Sequence, residues 1–143
     1  MSANTRAAGD PSPESGGWKS YAPYYAHLGL ELESVGEGEC VIHLPAKPEL
    51  RNSKEGLHGG AIASLFDVAM SQAVRSGLTE AVSVATVNMT ITYLSAANGG
   101  VKAHAHLLEA GTTLAFAEAV VTNENGVAVS RASAIYRLIR RAP

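Results

Sequence analysis

Leu57-His58-Gly59-Gly60-Ala61-Ile62-Ala63-Ser64-Leu65-Phe66-Asp67-Val68-Ala69-Met70-Ser71-Gln72-Ala73-Val74 is apolar or small almost throughout, and it carries one acidic residue, Asp67. Good helix formers fill it, and Gly77 offers a stop, so the spacing predicts a helix over Gly59 to Arg75. At 100° per residue, Gly60, Ser64, Asp67, Ser71 and Arg75 share a stripe about 80° wide, and apolar residues occupy the rest of the circumference. A helix of this kind is buried on most sides. Burying an unpaired carboxylate costs several kcal/mol, so Asp67 must have a partner or a use.

Working outward, the chain after the helix reads as strands over Ala81 to Ser95, Val101 to Glu109, Thr113 to Thr122 and Val127 to Ile139. Asn98-Gly99-Gly100, Ala110-Gly111 and Asn125-Gly126 separate them, and short connections of this type make consecutive strands antiparallel, Asn125-Gly126 as a two-residue hairpin. In the first of these strands Ala85, Val87, Met89, Ile91 and Tyr93 form the better core face, which leaves Thr86, Asn88 and Thr90 opposite. Upstream, a short helix begins near Pro23, and one strand spans Leu30 to Leu44 with a bend or bulge at Gly36-Glu37-Gly38. The fold class is therefore α+β, a five-stranded antiparallel sheet wrapped around one long helix. Five strands cannot cover that helix fully, so a homo-oligomer with Asp67 near an interface is expected.

Composition narrows the function. With 143 residues, 46% hydrophobic and 17% charged, the chain suits one domain, here residues 18–143 behind a disordered tail over 1–17. That tail is rich in Ser, Ala, Pro and Gly and has no apolar stretch, which leads to the expectation of a cytoplasmic protein without signal peptide or membrane span. A net charge of -2 supplies no field for nucleic acid or an anionic membrane. The lone Cys40 has no partner for a disulfide or metal site and reads as a buried thiol. His104-Ala105-His106 puts both imidazoles on the strand face of Lys102, without a third metal ligand, and His27 and His43 stand alone. No GxSxG, P-loop, HExxH or paired-cysteine motif is present, so neither a metal nor a cofactor is expected.

What remains is Asn52-Ser53-Lys54-Glu55-Gly56-Leu57-His58-Gly59-Gly60 leading into the helix. Glycines at a helix start let a ligand oxygen approach unpaired N–H groups at the positive end of the helix dipole. Such a start is a ready oxyanion hole, and a carboxylate on the same helix can serve as base or nucleophile. The same residues also fit a structural reading, in which the glycines close a turn and Asp67 pairs with Arg75 or a neighbouring subunit.

The stretch from Asn52 through Asp67 resembles the hotdog-fold acyl-CoA thioesterases, in their phenylacetyl-CoA thioesterase-like branch. The resemblance continues through Val87-Asn88-Met89-Thr90-Ile91-Thr92-Tyr93-Leu94-Ser95 and Gly111-Thr112-Thr113-Leu114-Ala115-Phe116. It implies a hotdog fold and hydrolysis of an aromatic or short- to medium-chain acyl-CoA, in a dimer or a tetramer built from two dimers. Residue by residue, Asp67 matches the catalytic acid, Gly59 the oxyanion donor, His58 the residue shaping that site, and Asn52 the amide that orients water or substrate. Thr86 falls where relatives have a hydroxyl reaching the water from the neighbouring subunit, and Ser71 resembles a helper hydroxyl. Thr112 and Thr113 resemble a loop that touches the CoA nucleotide, and Gly60 joins them as a substrate contact. Two rivals on the same fold are an acyl hydratase or dehydratase, faintly suggested by His43-Leu44-Pro45, and an acyl-CoA binding or regulatory module without catalysis.

Overall fold

The computed structural model describes residues 17–80 and 82–140, so the expected tail lies outside the described residues apart from Gly17. Helix α1 (Pro23–Leu28) is followed by strands β1 (Glu31–Gly36) and β2 (Glu39–Leu44). Helix α2 (Gly59–Ser76) then precedes β3 (Val82–Tyr93), β4 (Val101–Ala110), β5 (Leu114–Thr122) and β6 (Ala128–Arg140). All pairings are antiparallel, in the order β1-β2-β4-β5-β6-β3.

The long helix has the expected bounds to within a residue, and it lies against one face of the sheet, touching all six strands. Division of volume explains the close fit. The sheet offers small side chains beneath it, Ala103, Ala105, Ala115, Ala117, Ala119, Ala132 and Ala134, all buried. The helix supplies the bulk with Leu65, Phe66, Met70 and Val74, each fully buried. Buried Gln72 takes the Lys19 N–H at 2.8 Å and donates to the Lys19 carbonyl at 2.7 Å, pinning the segment that carries Trp18 to the helix. The accessible line along α2 is the anticipated one, Gly60, Ser64, Asp67, Ser71 and Arg75.

Three sequence expectations change. The sheet has six strands, because Gly36-Glu37-Gly38 is a hairpin and not a bend: Glu37 (φ 53) and Gly38 (φ 83) both adopt the left-handed conformation that a tight two-residue turn needs. Asn125-Gly126 is no two-residue loop either. The Gly126 N–H bonds the Asn123 carbonyl at 2.9 Å, and the Asn123 side chain takes the Asn125 and Val127 N–H groups, giving a longer turn closed by Gly126 at φ 78. Finally, β3 does not pair with β4. The segment through Asn98-Gly99-Gly100 crosses over, so that β3 lies at the sheet edge beside β6 while β4 pairs with β2 and β5.

The edge strand also breaks its own alternation. Its register with β6 shifts between Thr86 and Asn88, so Val87 is an extra residue. Val84 packs on the core before this bulge, and Met89 and Ile91 pack on it after, while Ala85 and Val87 are exposed. The uniform core face expected from Ala85 to Tyr93 therefore holds only beyond the bulge, and Thr86 belongs to the helix side.

Candidate active site

Asp67 sits midway along α2 and is half-buried. Its Oδ1 accepts two hydroxyl hydrogen bonds, from Thr86 Oγ1 at 2.8 Å and from Tyr136 at 2.8 Å. Tyr136 also reaches the Asp67 carbonyl at 3.0 Å. Among the described residues no donor reaches Oδ2, so the carboxylate is clamped by one oxygen while the other has no protein partner there. The clamp is a product of the sheet: Thr86 and Tyr136 are cross-strand partners in the β3–β6 ladder, Thr86 shares the inward parity of Val84, and the bulge after it puts Met89 and Ile91 on the same face. The bond is made within one chain. Tyr136 is fully buried, and burial together with the adjacent carboxylate raises its pKa far above the ordinary phenol value, so it remains a donor.

Tyr136 is the functional residue that sequence reasoning missed. A buried tyrosine whose hydroxyl must find a partner, on an inward face otherwise made of Ala132, Ala134 and Leu138, was the available signal. Arg75, the rival partner for Asp67, goes elsewhere, donating to Ser20 Oγ at 2.9 Å and the Val82 carbonyl at 3.3 Å. Ser71 is not brought to the carboxylate, since its hydroxyl donates to the Val68 carbonyl at 2.9 Å.

A second cluster surrounds the start of α2. His58 is the N-cap, and its Nδ1 accepts the Gly60 N–H at 2.8 Å, which leaves the ring proton on Nε2 in the neutral form. A Cβ on Gly60 would lie 3.1 Å from that Nδ1, so glycine makes room for the capping ring. The Gly59 N–H, by contrast, has no acceptor among the described residues. Tyr93, also unanticipated, donates to the Gly59 carbonyl at 2.7 Å and holds this first turn against the edge strand. Asn52 folds the preceding loop by accepting the Lys54 and Gly56 N–H groups on Oδ1 at 2.9 and 3.1 Å, which leaves its NH2 as the free end. Asn52, Gly59, Ile62 and Tyr93 line one cleft of about 280 Å³.

These two clusters do not meet. At a rise of about 1.5 Å per residue, Asp67 lies about 12 Å along the axis from Gly59, several times the reach of one carbonyl. Thr112 and Thr113 belong to neither: their loop follows β4, and their carbonyls accept from the Arg140 side chain and from the Leu138 N–H near the end of β6. Of the other four histidines, His27 lies on α1 and stacks on Tyr24, while three lie on the outer sheet face in pairs with glutamates, His43 with Glu31, His104 with Glu39 and His106 with Glu118, at 2.7 to 2.9 Å. His43 is thus on the opposite side of the sheet from Asp67, away from any hydratase arrangement. No three-residue metal-binding group is found among the described residues, and no helix there is long and apolar enough to cross a membrane.

A family model described as a domain of unknown function, DUF4442, matches residues 15–137. Human acyl-coenzyme A thioesterase 13 is 34% identical over 97 residues, spanning 66% of this chain and 69% of that protein. Among solved structures, a conserved protein of Pseudomonas aeruginosa is 30% identical with a TM-score of 0.79, covering 83% of this chain and 95% of that one. The PaaI protein from the phenylacetic acid degradation operon of E. coli superimposes with a TM-score of 0.77 over 82% of this chain and 85% of its own, at 21% identity, a likeness of fold.

Proposed function

Since this chain belongs to the DUF4442 family and with it to the hotdog-fold thioesterases, we propose that it hydrolyses acyl-CoA thioesters to the free acid and coenzyme A, aromatic and short- to medium-chain acyl groups being the substrates. The observation that carries this reading is the clamped carboxylate: two hydroxyls orient Oδ1 of Asp67, and Oδ2 is left free on an accessible stripe.

The working site takes two copies of the chain. Gly59 and Asp67 of one helix are about 12 Å apart, so a thioester carbonyl that accepts the Gly59 N–H of one chain must meet Asp67 of another. Among the described residues the twelve-residue strand β3 pairs on one side only, and an edge of that length invites a second copy. The oligomer is at least a homodimer.

In the reaction the thioester oxygen accepts the Gly59 N–H at the positive end of α2, and the Asn52 NH2 lies in the same cleft to orient substrate or water. Asp67 either takes a proton from water as the water oxygen adds to the carbonyl carbon, or adds itself to give an anhydride that water then opens. In both routes the carbon–sulfur bond breaks and the electron pair leaves with sulfur. A thiol has a pKa of about 8.5, so the departing thiolate needs no strong acid, and none is found beside Asp67 among the described residues. His58 and Gly60 build the helix start, and Thr86 and Tyr136 orient the acid.

Release of free thiol across a panel of aryl and alkyl acyl-CoAs tests the proposal, with wild type and Asp67→Asn compared at matched oligomeric state. Asp67→Asn is expected to lose at least as much as an enzyme deprived of one oxyanion donor, about 3 kcal/mol or more than a hundredfold. Equal turnover by the two proteins, or none by wild type on any thioester, would refute it. A single turnover in heavy-oxygen water probes the anhydride route, because label enters the Asp67 carboxylate only when water opens an anhydride at the Asp67 carbonyl.

A further inference from the structure

We propose that the cavity at the C-terminal end of α2 is an anion subsite that takes the phosphate end of the thiol carrier of a thioester substrate. This inference rests on the thioesterase reading for the identity of the ligand, and on its own geometry for the site.

The cavity measures about 490 Å³, and Lys19, Ser20, Arg75, Glu80 and Ser83 line it. Arg75 is half-buried and held in place by one nitrogen, since Nη1 serves both Ser20 Oγ and the Val82 carbonyl. Among the described residues, Nε and Nη2 have no acceptor. These two N–H groups form the parallel edge with which a guanidinium grips two oxygens of a phosphate or carboxylate. The one carboxylate lining the cavity is already taken: Arg140 binds both oxygens of Glu80, at 3.1 and 3.2 Å. Lys19 has its peptide fixed on both sides by Gln72, while its exposed side chain has no partner among the described residues. Among the described residues the cavity therefore presents two cations without a carboxylate partner around an anchored, open fork.

Length points to phosphate. Arg75 lies eight residues beyond Asp67 on the same accessible stripe, about 12 Å along the helix. In coenzyme A roughly thirteen bonds separate the sulfur from the first phosphorus, and at about 3.6 Å per three bonds the extended arm spans roughly 15 Å. A thioester beside Asp67 thus brings its first phosphate within reach of the Arg75 side chain, the arm passing over Ser71. The polar, cationic lining also suits a multiply charged group better than the end of an acyl chain.

Calorimetric titration of free coenzyme A and of pantetheine, which has the arm without the phosphates, tests the subsite without any turnover. Wild type is expected to bind coenzyme A more than tenfold tighter than pantetheine. Arg75→Gln and, separately, Lys19→Gln should erase most of that difference and leave pantetheine affinity unchanged. Lys19→Gln guards against misfolding, because its side chain is exposed and makes no hydrogen bond or ion pair among the described residues. Failure of wild type to prefer coenzyme A, or equal weakening of both ligands in the variants, overturns the proposal. If Arg75→Gln instead abolishes a preference for carboxylate-ended over methyl-ended acyl pantetheines while coenzyme A binding is unchanged, the cavity serves the acyl chain and the phosphate assignment falls. Absence of thioester hydrolysis in wild type counts against the catalytic reading alone, since the titration does not depend on it.

Discussion

Replacing Tyr136 with Phe removes one oxygen from a residue that is fully buried, and that oxygen donates to Oδ1 of Asp67 at 2.8 Å. The ring keeps its place among Ala132, Ala134 and Leu138, so no sizeable cavity opens. Asp67 is partly accessible, and water can replace some of the lost bond in the resting protein. Stability should therefore fall by only about 1 kcal/mol, or about 3 °C in Tm for a domain of this size. Activity should fall further. A hydrogen bond to a charged group contributes about 1.5 to 3 kcal/mol, and if that bond holds the carboxylate in its reactive orientation the loss corresponds to roughly a 10- to 150-fold drop in kcat. Thr86→Val removes the other donor to the same oxygen and should cost a similar factor. The double variant should lose less than the product of the two, because both bonds orient one group. Thiol-release kinetics with a thermal melt for each protein decide the matter. A Tyr136→Phe protein that keeps more than half of the wild-type kcat would show that the clamp does not orient the acid.

Packing and burial set three further expectations. Gln72→Leu strips partners from both the N–H and the carbonyl of Lys19, which should cost about 2 to 4 kcal/mol in urea unfolding, and hydrogen exchange should reveal loss of protection at the Lys19 amide; unchanged exchange would contradict the pinning role of Gln72. Gly77→Ala places a Cβ 2.6 Å from Leu107 Cδ2 and 3.1 Å from Gly38 Cα. Leu107 can move but the Gly38 backbone cannot, so a crowding cost of about 1 to 3 kcal/mol should exceed the roughly 0.4 to 1 kcal/mol that alanine contributes through the unfolded chain, giving a lower unfolding midpoint. Burial pushes the Cys40 thiol up from its ordinary value near 9 to about 12. Because the folded state favours the neutral thiol, the stability contribution is full below about pH 9 and is lost as pH rises toward 12, so thermal melts across that range should decline, and a thiol reagent at about pH 8 should label Cys40 only in unfolded protein.

Much of this fold is readable along the chain. The 3.6-residue rhythm from Gly59 to Arg75 marks the helix, the one polar stripe marks its accessible line, and turn residues divide the C-terminal half into strands close to β3 through β6. The hairpin after Gly36 escapes such reading because Glu37, a residue that seldom adopts positive φ, shares the turn with Gly38. The crossing of β3 to the far side of β6 escapes it too, since nothing in Leu94 to Gly100 distinguishes a crossover from a hairpin.

By itself the sequence determined that a lone acid would sit on the polar line of a buried helix, behind a glycine-rich start. Each of those features depends on residues within a few positions of one another, where periodicity and backbone freedom act. Only the tertiary structure decided what holds that acid. Thr86 and Met89 both face inward because one extra residue, Val87, is left over when β3 aligns with β6, and Tyr136 reaches Asp67 from 69 residues away because β6 runs beneath the helix. Strand register is set by the ladder as a whole, and no local pattern around Asp67 encodes it.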